Sequence, residues 1–280
     1  MATHCRYPHL GKTGSLVVVG LVYVAALILG VQAAGLWPAL NPVGWALVVD
    51  IVATLVVFMF SAWYRNASVY DPYWSVAPIL IVVYWSFAGE IRNAVPLRQG
   101  LVILLVWAWG LRLTWNWIAR WRGLGDEDWR YTRLRQRSGR AYPLVNLAGI
   151  HLMPTVLVFL GCLPLWAAVA DSVRDLNWLD GVACVVTSAA IWLEWRADRE
   201  LRQHRERSGV GVLDTGLWAR FRHPNYLGEI IFWWGLYLFA LAANPDLWWS
   251  IIGALSITAL FVFVSIPMMD KRMAGRTSKP

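Results

Sequence analysis

Residues 15–36 read SLVVVGLVYVAALILGVQAAGL and contain no charged side chain. A helix needs about 20 apolar residues to cross the roughly 30 Å hydrocarbon core of a bilayer. Arg6 and Lys12 precede the run, as in a secretory signal, but the run is too long for the apolar part of one. It is therefore predicted to span a membrane.

Similar runs recur along the chain, which is 58% hydrophobic and only 15% charged, against about 25% charged in globular domains. Long unbroken runs favour helices over a barrel, because backbone groups in lipid must pair within the segment. We expect an all-α, polytopic membrane bundle of about seven or eight transmembrane helices in one domain, residues 1–280. The approximate runs are 15–36, 44–64, 69–88, 98–119, 148–170, 178–196, 225–243 and 247–268.

The net charge of +8 is distributed unevenly among the loops. Arg and Lys concentrate in residues 119–147, 196–224 and 270–280, whereas residues 171–180 are acidic. Under the positive-inside rule, the basic loops and, with eight spans, both termini are cytoplasmic. The charge is thus expected to face anionic membrane lipid, and no nucleic acid partner is expected.

The residues that commonly bind metals or nucleotides show no matching pattern. Cys5, Cys162 and Cys184 have no paired spacing, and the five His residues are scattered, so neither a disulfide nor a metal site is expected. No Gly-x-Gly-x-x-Gly motif follows a strand, so a Rossmann unit is not expected either.

Polar residues in or beside apolar runs are costly unless they are partnered or functional. Asp71 precedes Pro72 in YRNASVYDPYWSVAP, residues 64–78, where it could cap a helix or act in catalysis. Asp50 lies deeper, and the sequence does not decide its role. Arg112, Asn116 and Arg120 are four apart on one predicted helix face. Arg120 can reach the interface, whereas the deeper Arg112 indicates a buried anion. Arg130, Tyr131 and Arg133 follow in a loop most of whose cations are expected to face anionic lipid.

A second polar stripe runs out of the sixth apolar run and consists of Glu194, Asp198, Arg202 and Arg205. The third group is in WARFRHPNYLGEIIFWWG, residues 218–235. Pro224 is suited to a first helical turn, and Asn225 and Glu229 share a face, with His223 at the rim. Free amides and the helix dipole there favour an anion or a carbonyl oxygen. Arginine guanidinium groups match phosphates, and the Asn and Glu side chains can bind an amide such as nicotinamide. The pattern therefore suits a nucleotide that carries nicotinamide.

The stretch DTGLWARFRHPNYLGEIIFWWG, residues 214–235, resembles the C-terminal signature of the steroid 5-alpha-reductase family. That family also has sterol C14 reductases and uncharacterised bacterial membrane proteins as relatives, and the resemblance extends over residues 66–272. It implies a helical membrane reductase, in a bacterial inner membrane, that binds NADPH from the cytoplasm. Such enzymes reduce a carbon–carbon double bond conjugated to a ketone, here in a lipophilic substrate entering from the bilayer. Residues 15–64 are then additional N-terminal spans.

The resemblance also implies roles for particular residues. Asn225 and Glu229 match the positions that hold the nicotinamide end, Asp198 and Arg202 match a cofactor-contacting block, and Asp71 matches the catalytic acid, preceded by Tyr70. The family's catalytic tyrosine falls at Trp109, so Tyr70 or Tyr73 is the candidate proton donor. Trp74 and Trp109 are assigned to substrate. The expected cofactor-binding residues are Arg112, Asn116, Arg120, Arg130, Tyr131, Glu194, Asp198, Arg202, Arg205, His223, Asn225, Tyr226, Glu229 and Arg272.

The expected mechanism is hydride transfer to the beta carbon of an enone while an acid polarises the carbonyl. Burial should raise the pKa of Asp71, so that it can donate a proton. The main alternative is a membrane methyltransferase of the isoprenylcysteine type, which carries an Arg-His-Pro-x-Tyr-x-Gly block and binds S-adenosylmethionine; Asn225 favours the reductase. A lipid-binding or scaffold protein without chemistry is a third possibility.

Overall fold

A computed structural model describes residues 10–88, 95–208 and 213–277, all of whose regular structure is helical. Cys5, Arg6 and parts of the basic segments 196–224 and 270–280 lie outside these ranges. The helices are α1 Lys12–Gly35, α2 Pro42–Tyr64, α3 Tyr73–Ala88, α4 Pro96–Arg120, α5 Trp129–Ser138, α6 Tyr142–Val145, α7 Met153–Val169, α8 Trp178–Ser208, α9 Leu217–Arg220, α10 Pro224–Ala243, α11 Ile251–Leu260 and α12 Ile266–Thr277.

The predicted fold class is confirmed, and the chain is an integral membrane protein. Six helical segments in the described ranges are long and apolar enough to cross a bilayer: Lys12–Gly35, Pro42–Tyr64, Pro96–Arg120, Trp129–Val169, Pro224–Ala243 and Pro245–Met273. The other two predicted spans form helices that fall outside this set. Helix α3 has 16 residues and a length of about 24 Å, short of the hydrocarbon core. Helix α8 is 31 residues long, but it carries Asp180 and Glu194 and ends in a charged stretch.

The chain folds as two compact units, each built from two stretches. Unit 1 comprises residues 1–88 and 109–159, and unit 2 comprises residues 89–108 and 160–280. The prediction of a single membrane domain is not tested by this division and stays a prediction.

Unit 1 is organised by the packing of α1 on α2 and by a core between them that includes Val22, Ala26 and Val57. Close approach requires small residues: a Cβ at Gly30 would lie 2.7 Å from the carbonyl oxygen of Val49. Helix α2 begins at an Asn41 cap, whose side chain accepts a hydrogen bond from the Gly44 amide at 2.7 Å. These contacts fix the start of α2 and hold its first half against α1.

Unit 2 is organised by the packing of α8 against α10. Gly228 and Gly235 allow this close approach, because a Cβ at Gly228 would overlap Glu194 and one at Gly235 would overlap Thr187. Helix α10 begins at Pro224, as the sequence predicted. The two helices therefore bring polar residues of α8 beside the first turns of α10.

A buried ion pair fixes the other end of unit 2. Arg98 at the start of α4 donates hydrogen bonds from Nε and Nη2 to the two carboxylate oxygens of Asp180, at 2.6 and 2.8 Å. Arg98 also donates to the backbone oxygens of Arg174 and Asp175, at 2.9 and 3.0 Å. The Arg98 side chain is fully buried, and its hydrogen bonds compensate for the loss of water.

Candidate functional site

The segment before α3 in unit 1 is hydrogen-bonded to the loop that follows α4. The Asn66 amide nitrogen donates to the backbone oxygens of Leu124 and Asp126, at 2.8 and 3.1 Å, while its oxygen accepts from the Ser68 amide at 2.8 Å. Glu127 accepts a hydrogen bond from the Ala67 amide at 2.9 Å. Asp71, which follows this turn, therefore has a defined position.

Asp71 is paired with a tyrosine from α5. The Tyr131 hydroxyl donates a hydrogen bond to Asp71 Oδ1. Asp128 caps α5 by accepting from the Arg130 amide at 2.8 Å, and it also accepts from Arg130 Nε at 2.8 Å. The Asp128 amide donates to Ser68 Oγ at 2.8 Å, which ties the cap to the turn before Asp71. Tyr131 is thus presented to Asp71 by a helix terminus that is itself anchored.

Burial raises the pKa of Asp71 to about 6, because the charged carboxylate is removed from water. The positive charge of Arg130 and the hydrogen bond from Tyr131 oppose this shift without cancelling it. The rise in the pKa of Asp71 was expected from the sequence. A carboxyl group with a pKa in this range exchanges its proton near neutral pH.

The hydroxyls of Tyr70 and Tyr73 have other partners. Tyr70 OH is 2.8 Å from Thr155 Oγ1, and Tyr73 OH donates to Asp50 Oδ1 at 2.7 Å. Both tyrosines are buried and their rings stack, with centroids 5.4 Å apart. This pairing also answers where Asp50 lies: it is buried in α2 and accepts the Tyr73 hydrogen bond. Catalytic roles for Tyr70 and Tyr73 stay predictions.

The two tryptophans assigned to substrate contact each other in unit 1. The Trp74 and Trp109 rings meet edge to face, with centroids 6.2 Å apart, and Trp109 is fully buried. Trp74 is partly buried at the start of α3. Trp74 lies three residues after Asp71 in the chain.

The predicted polar face of α4 also lies in unit 1. Asn116 is buried, Arg112 is partly buried, and Arg120 is exposed at the last residue of the helix. Arg120 Nε donates to the Asn116 backbone oxygen at 3.0 Å. The exposure of Arg120 fits a side chain that reaches the membrane boundary, whereas Arg112 is held within the protein.

Two buried carboxylates of unit 2 lie where α8 and α10 touch. Glu194 packs against Gly228, and both Glu194 and Glu229 are almost completely buried. Trp233 Nε1 donates to Glu229 Oε1 at 2.9 Å. Asn225 is partly exposed one turn before Glu229. The helices thus bring together Glu194, Asn225 and Glu229 of the predicted cofactor set.

The remaining predicted residues of unit 2 lie on α8 and α12 and at the start of α10. Asp198 and Arg202 are partly buried on α8, Arg205 is exposed, and Arg272 is partly buried on α12. His223 Nε2 is 2.8 Å from Asp270 Oδ1, and the Tyr226 ring stacks on His223 with centroids 5.4 Å apart.

Three features of the structure were missed by sequence reasoning. The first is the partnership of Tyr131 with Asp71, for which the sequence holds no signal, since the residues are 60 apart. The second is the Arg98–Asp180 ion pair, which opposite charges at the ends of two apolar runs could have suggested. The third is Asp270, which accepts hydrogen bonds beside His223. Within residues 10–88, 95–208 and 213–277, no cluster of three or more His, Cys, Asp or Glu side chains could hold a metal.

The fold and these buried polar groups define a polytopic helical membrane protein with polar side chains at both packed units. Residues 57–280 match a family described as "protein of unknown function (DUF1295)", and the chain belongs to this family. It is 28% identical over 245 residues to an uncharacterised protein of Schizosaccharomyces pombe, covering 79% of this chain and 71% of the relative. No solved structure matches the chain. The family match includes Asp71, Tyr131 and the whole of α10.

Proposed function

We propose that this protein is a membrane-embedded reductase that uses NADPH to reduce the carbon–carbon double bond of a lipophilic enone. The observation that carries the proposal is the hydrogen bond from Tyr131 to Asp71. The resemblance of residues 214–235 to the steroid 5-alpha-reductase signature supports it. That family pairs an acid with a tyrosine, and the pair here uses a tyrosine at a different place in the chain.

The chemistry requires a proton donor at the substrate carbonyl. Bound NADPH would supply a hydride to the beta carbon of the enone, and the electron pair of the double bond would move towards the carbonyl oxygen. Tyr131 donates its hydroxyl proton to that oxygen, which gives the enol, and protonated Asp71 returns a proton to Tyr131 and regains its own from water. The enol then gains a proton from water at the alpha carbon and loses its hydroxyl proton, which leaves the saturated ketone. The raised pKa of Asp71 supports this role, because an acid near its pKa can both hold and release the proton.

The residues of unit 2 that would hold the cofactor fit its chemistry. Glu194 and Glu229 are buried carboxylates and Asn225 carries an amide, so this group can accept and donate the hydrogen bonds of a carboxamide. Arg202 and the exposed Arg205 on α8 suit phosphate groups. The basic loops favour a cytoplasmic source for the cofactor, and the apolar helices favour a substrate that arrives through the bilayer.

The test is ligand-dependent thermal unfolding of the detergent-solubilised full chain. NADPH should raise the midpoint, NADH should raise it less, and S-adenosylmethionine should leave it unchanged. Glu229→Gln should reduce the NADPH response, with Glu206→Gln as a control that removes an exposed charge from α8. NADPH consumption is then measured with a panel of lipophilic enones. A response to S-adenosylmethionine alone would support the methyltransferase and reject the reductase.

A further inference from the structure

An open groove of about 410 Å³ lies in unit 2 beside the start of α10. Its apolar wall is formed by Leu227 and Ile230 of α10 and by Ile266 of α12, with Phe221 at the edge. Leu227 and Ile230 are three residues apart and so lie on one face of the helix. The remaining lining residues are Arg220, Arg222, His223 and Asp270. The groove therefore has one apolar wall and one strongly polar end.

The polar end has an excess of positive charge. Two guanidinium groups, of Arg220 and Arg222, face one carboxylate, of Asp270. Arg222 Nε is 3.0 Å from Asp270 Oδ1, and the same oxygen is 2.8 Å from His223 Nε2. The Arg222 side chain is nevertheless 69% exposed, and Arg220 is exposed as well. Most of this cationic surface is thus open to a ligand.

The groove lies at a membrane boundary of unit 2. The candidate span Pro224–Ala243 begins at its polar end, and the span Pro245–Met273 ends there. Arg220 and Arg222 precede the first of these spans, so they lie on the water side. Ile230 is further inside that span, towards hydrocarbon. A ligand that fills the groove must therefore be anionic at one end and apolar along the rest.

We propose that this groove binds an anionic phospholipid, with the phosphodiester on Arg220 and Arg222 and an acyl chain along Leu227, Ile230 and Ile266. Guanidinium groups match the geometry of phosphate oxygens, and apolar walls at this depth match an acyl chain. A nucleotide phosphate shares the first part of this chemistry, but the apolar wall offers a nucleotide few hydrogen-bonding partners. The proposal is independent of the reductase activity.

The test is native mass spectrometry of the purified full chain, titrated with dioleoyl phosphatidylglycerol and, separately, with zwitterionic dioleoyl phosphatidylcholine. Wild type should bind the anionic lipid at least tenfold more tightly. Because each cation near an anionic headgroup contributes about fivefold in affinity, Arg220→Gln/Arg222→Gln should weaken that binding about 30-fold. Ile266→Trp, which fills the apolar part without changing charge, should also weaken it.

The matched control is Arg137→Gln/Arg140→Gln, which removes two exposed arginines from unit 1. The proposal would be overturned if both double variants lost the same affinity for the anionic lipid, or if wild type bound the two lipids equally tightly. The proposal would also be overturned if NADPH displaced the anionic lipid from wild type and no longer bound to Arg220→Gln/Arg222→Gln. The groove would then be a site for the phosphates of the cofactor. If the double variant does not fold, Arg220→Gln alone decides: about fivefold weaker binding supports the site, and unchanged binding rejects it.

Discussion

Tyr131, in the first turn of α5, donates its hydroxyl hydrogen bond to the carboxylate of Asp71, which lies just before α3. The contact joins parts of the chain 60 residues apart and places a proton donor on an acid whose pKa burial has raised. In the proposed reaction this pair delivers the proton to the substrate carbonyl. The pair is therefore the first target for mutation.

Tyr131→Phe should lower the rate of NADPH consumption with an active enone by about 100-fold or more, since a positioned proton donor contributes about 10²–10⁴-fold. The stabilisation by NADPH should persist, because the ring remains and only the hydroxyl is lost. The control is Tyr142→Phe, which removes a partly buried hydroxyl that accepts from Arg135 at 3.3 Å. Turnover of Tyr131→Phe equal to that of wild type would remove Tyr131 from the mechanism.

The pH profile should follow the protonation of Asp71. With its pKa raised to about 6, the carboxyl is about half protonated at pH 6 and about one-tenth protonated at pH 7. Because only the protonated form of Asp71 returns a proton to Tyr131, kcat/KM should fall about tenfold per pH unit above pH 6. Asp71→Asn should lower the rate and abolish this slope. A wild-type profile that is flat from pH 5 to 8 would contradict the assigned role.

Gly228→Ala should destabilise unit 2, because the added Cβ would overlap Glu194 and lie 3.0 Å from the Ala190 backbone oxygen. Overpacking of this kind costs about 1–3 kcal/mol. Gly181→Ala is the matched control on α8, where a Cβ meets no atom within 4 Å. Thermal unfolding of the two variants in the same detergent provides the comparison. If Gly181→Ala loses as much stability as Gly228→Ala, close packing at Gly228 is not the cause.

Arg98→Met should cost about 3–5 kcal/mol, because it leaves the Asp180 carboxylate buried without its cation. The double variant Arg98→Met/Asp180→Leu should be more stable than Arg98→Met, since no charge then remains buried. Arg196→Gln, which breaks the partly exposed Arg196–Glu200 pair, should change stability by about 0.5 kcal/mol or less. These free energies are measured by reversible denaturation in mixed micelles. A loss in Arg98→Met as small as in Arg196→Gln would contradict the buried ion pair.

The helical class and the polar faces were predictable because each depends on local spacing. The 22-residue run at 15–36 has the length that a bilayer requires, and α1 covers Lys12–Gly35. Asn225 and Glu229 are four apart, so the helix that begins at Pro224 necessarily places them on one face. The number of spans was less predictable, because α3 is short and α8 runs on into a charged stretch.

The partners of the polar residues were not predictable, since they come from distant parts of the chain. The sequence contains no signal that Tyr131 contacts Asp71. It is equally silent on the contacts of Tyr70 with Thr155 and of Tyr73 with Asp50. Sequence reasoning therefore named Tyr70 and Tyr73 as the candidate proton donors and placed Tyr131 among the cofactor-binding residues. Only the packing of α5, α7 and α2 around the segment before α3 distinguishes them.

Each compact unit is assembled from two separate stretches of chain, and two of the three boundaries between the stretches fall inside α4 and α7. A cut anywhere between residues 89 and 159 therefore divides both units. A fragment ending near residue 108 lacks the second stretch of unit 1, and a fragment ending near residue 159 contains unit 1 but carries residues 89–108 without the rest of unit 2. Independent study of one half by deletion would yield an incomplete fold, so site-directed changes in the full-length polypeptide are the productive route.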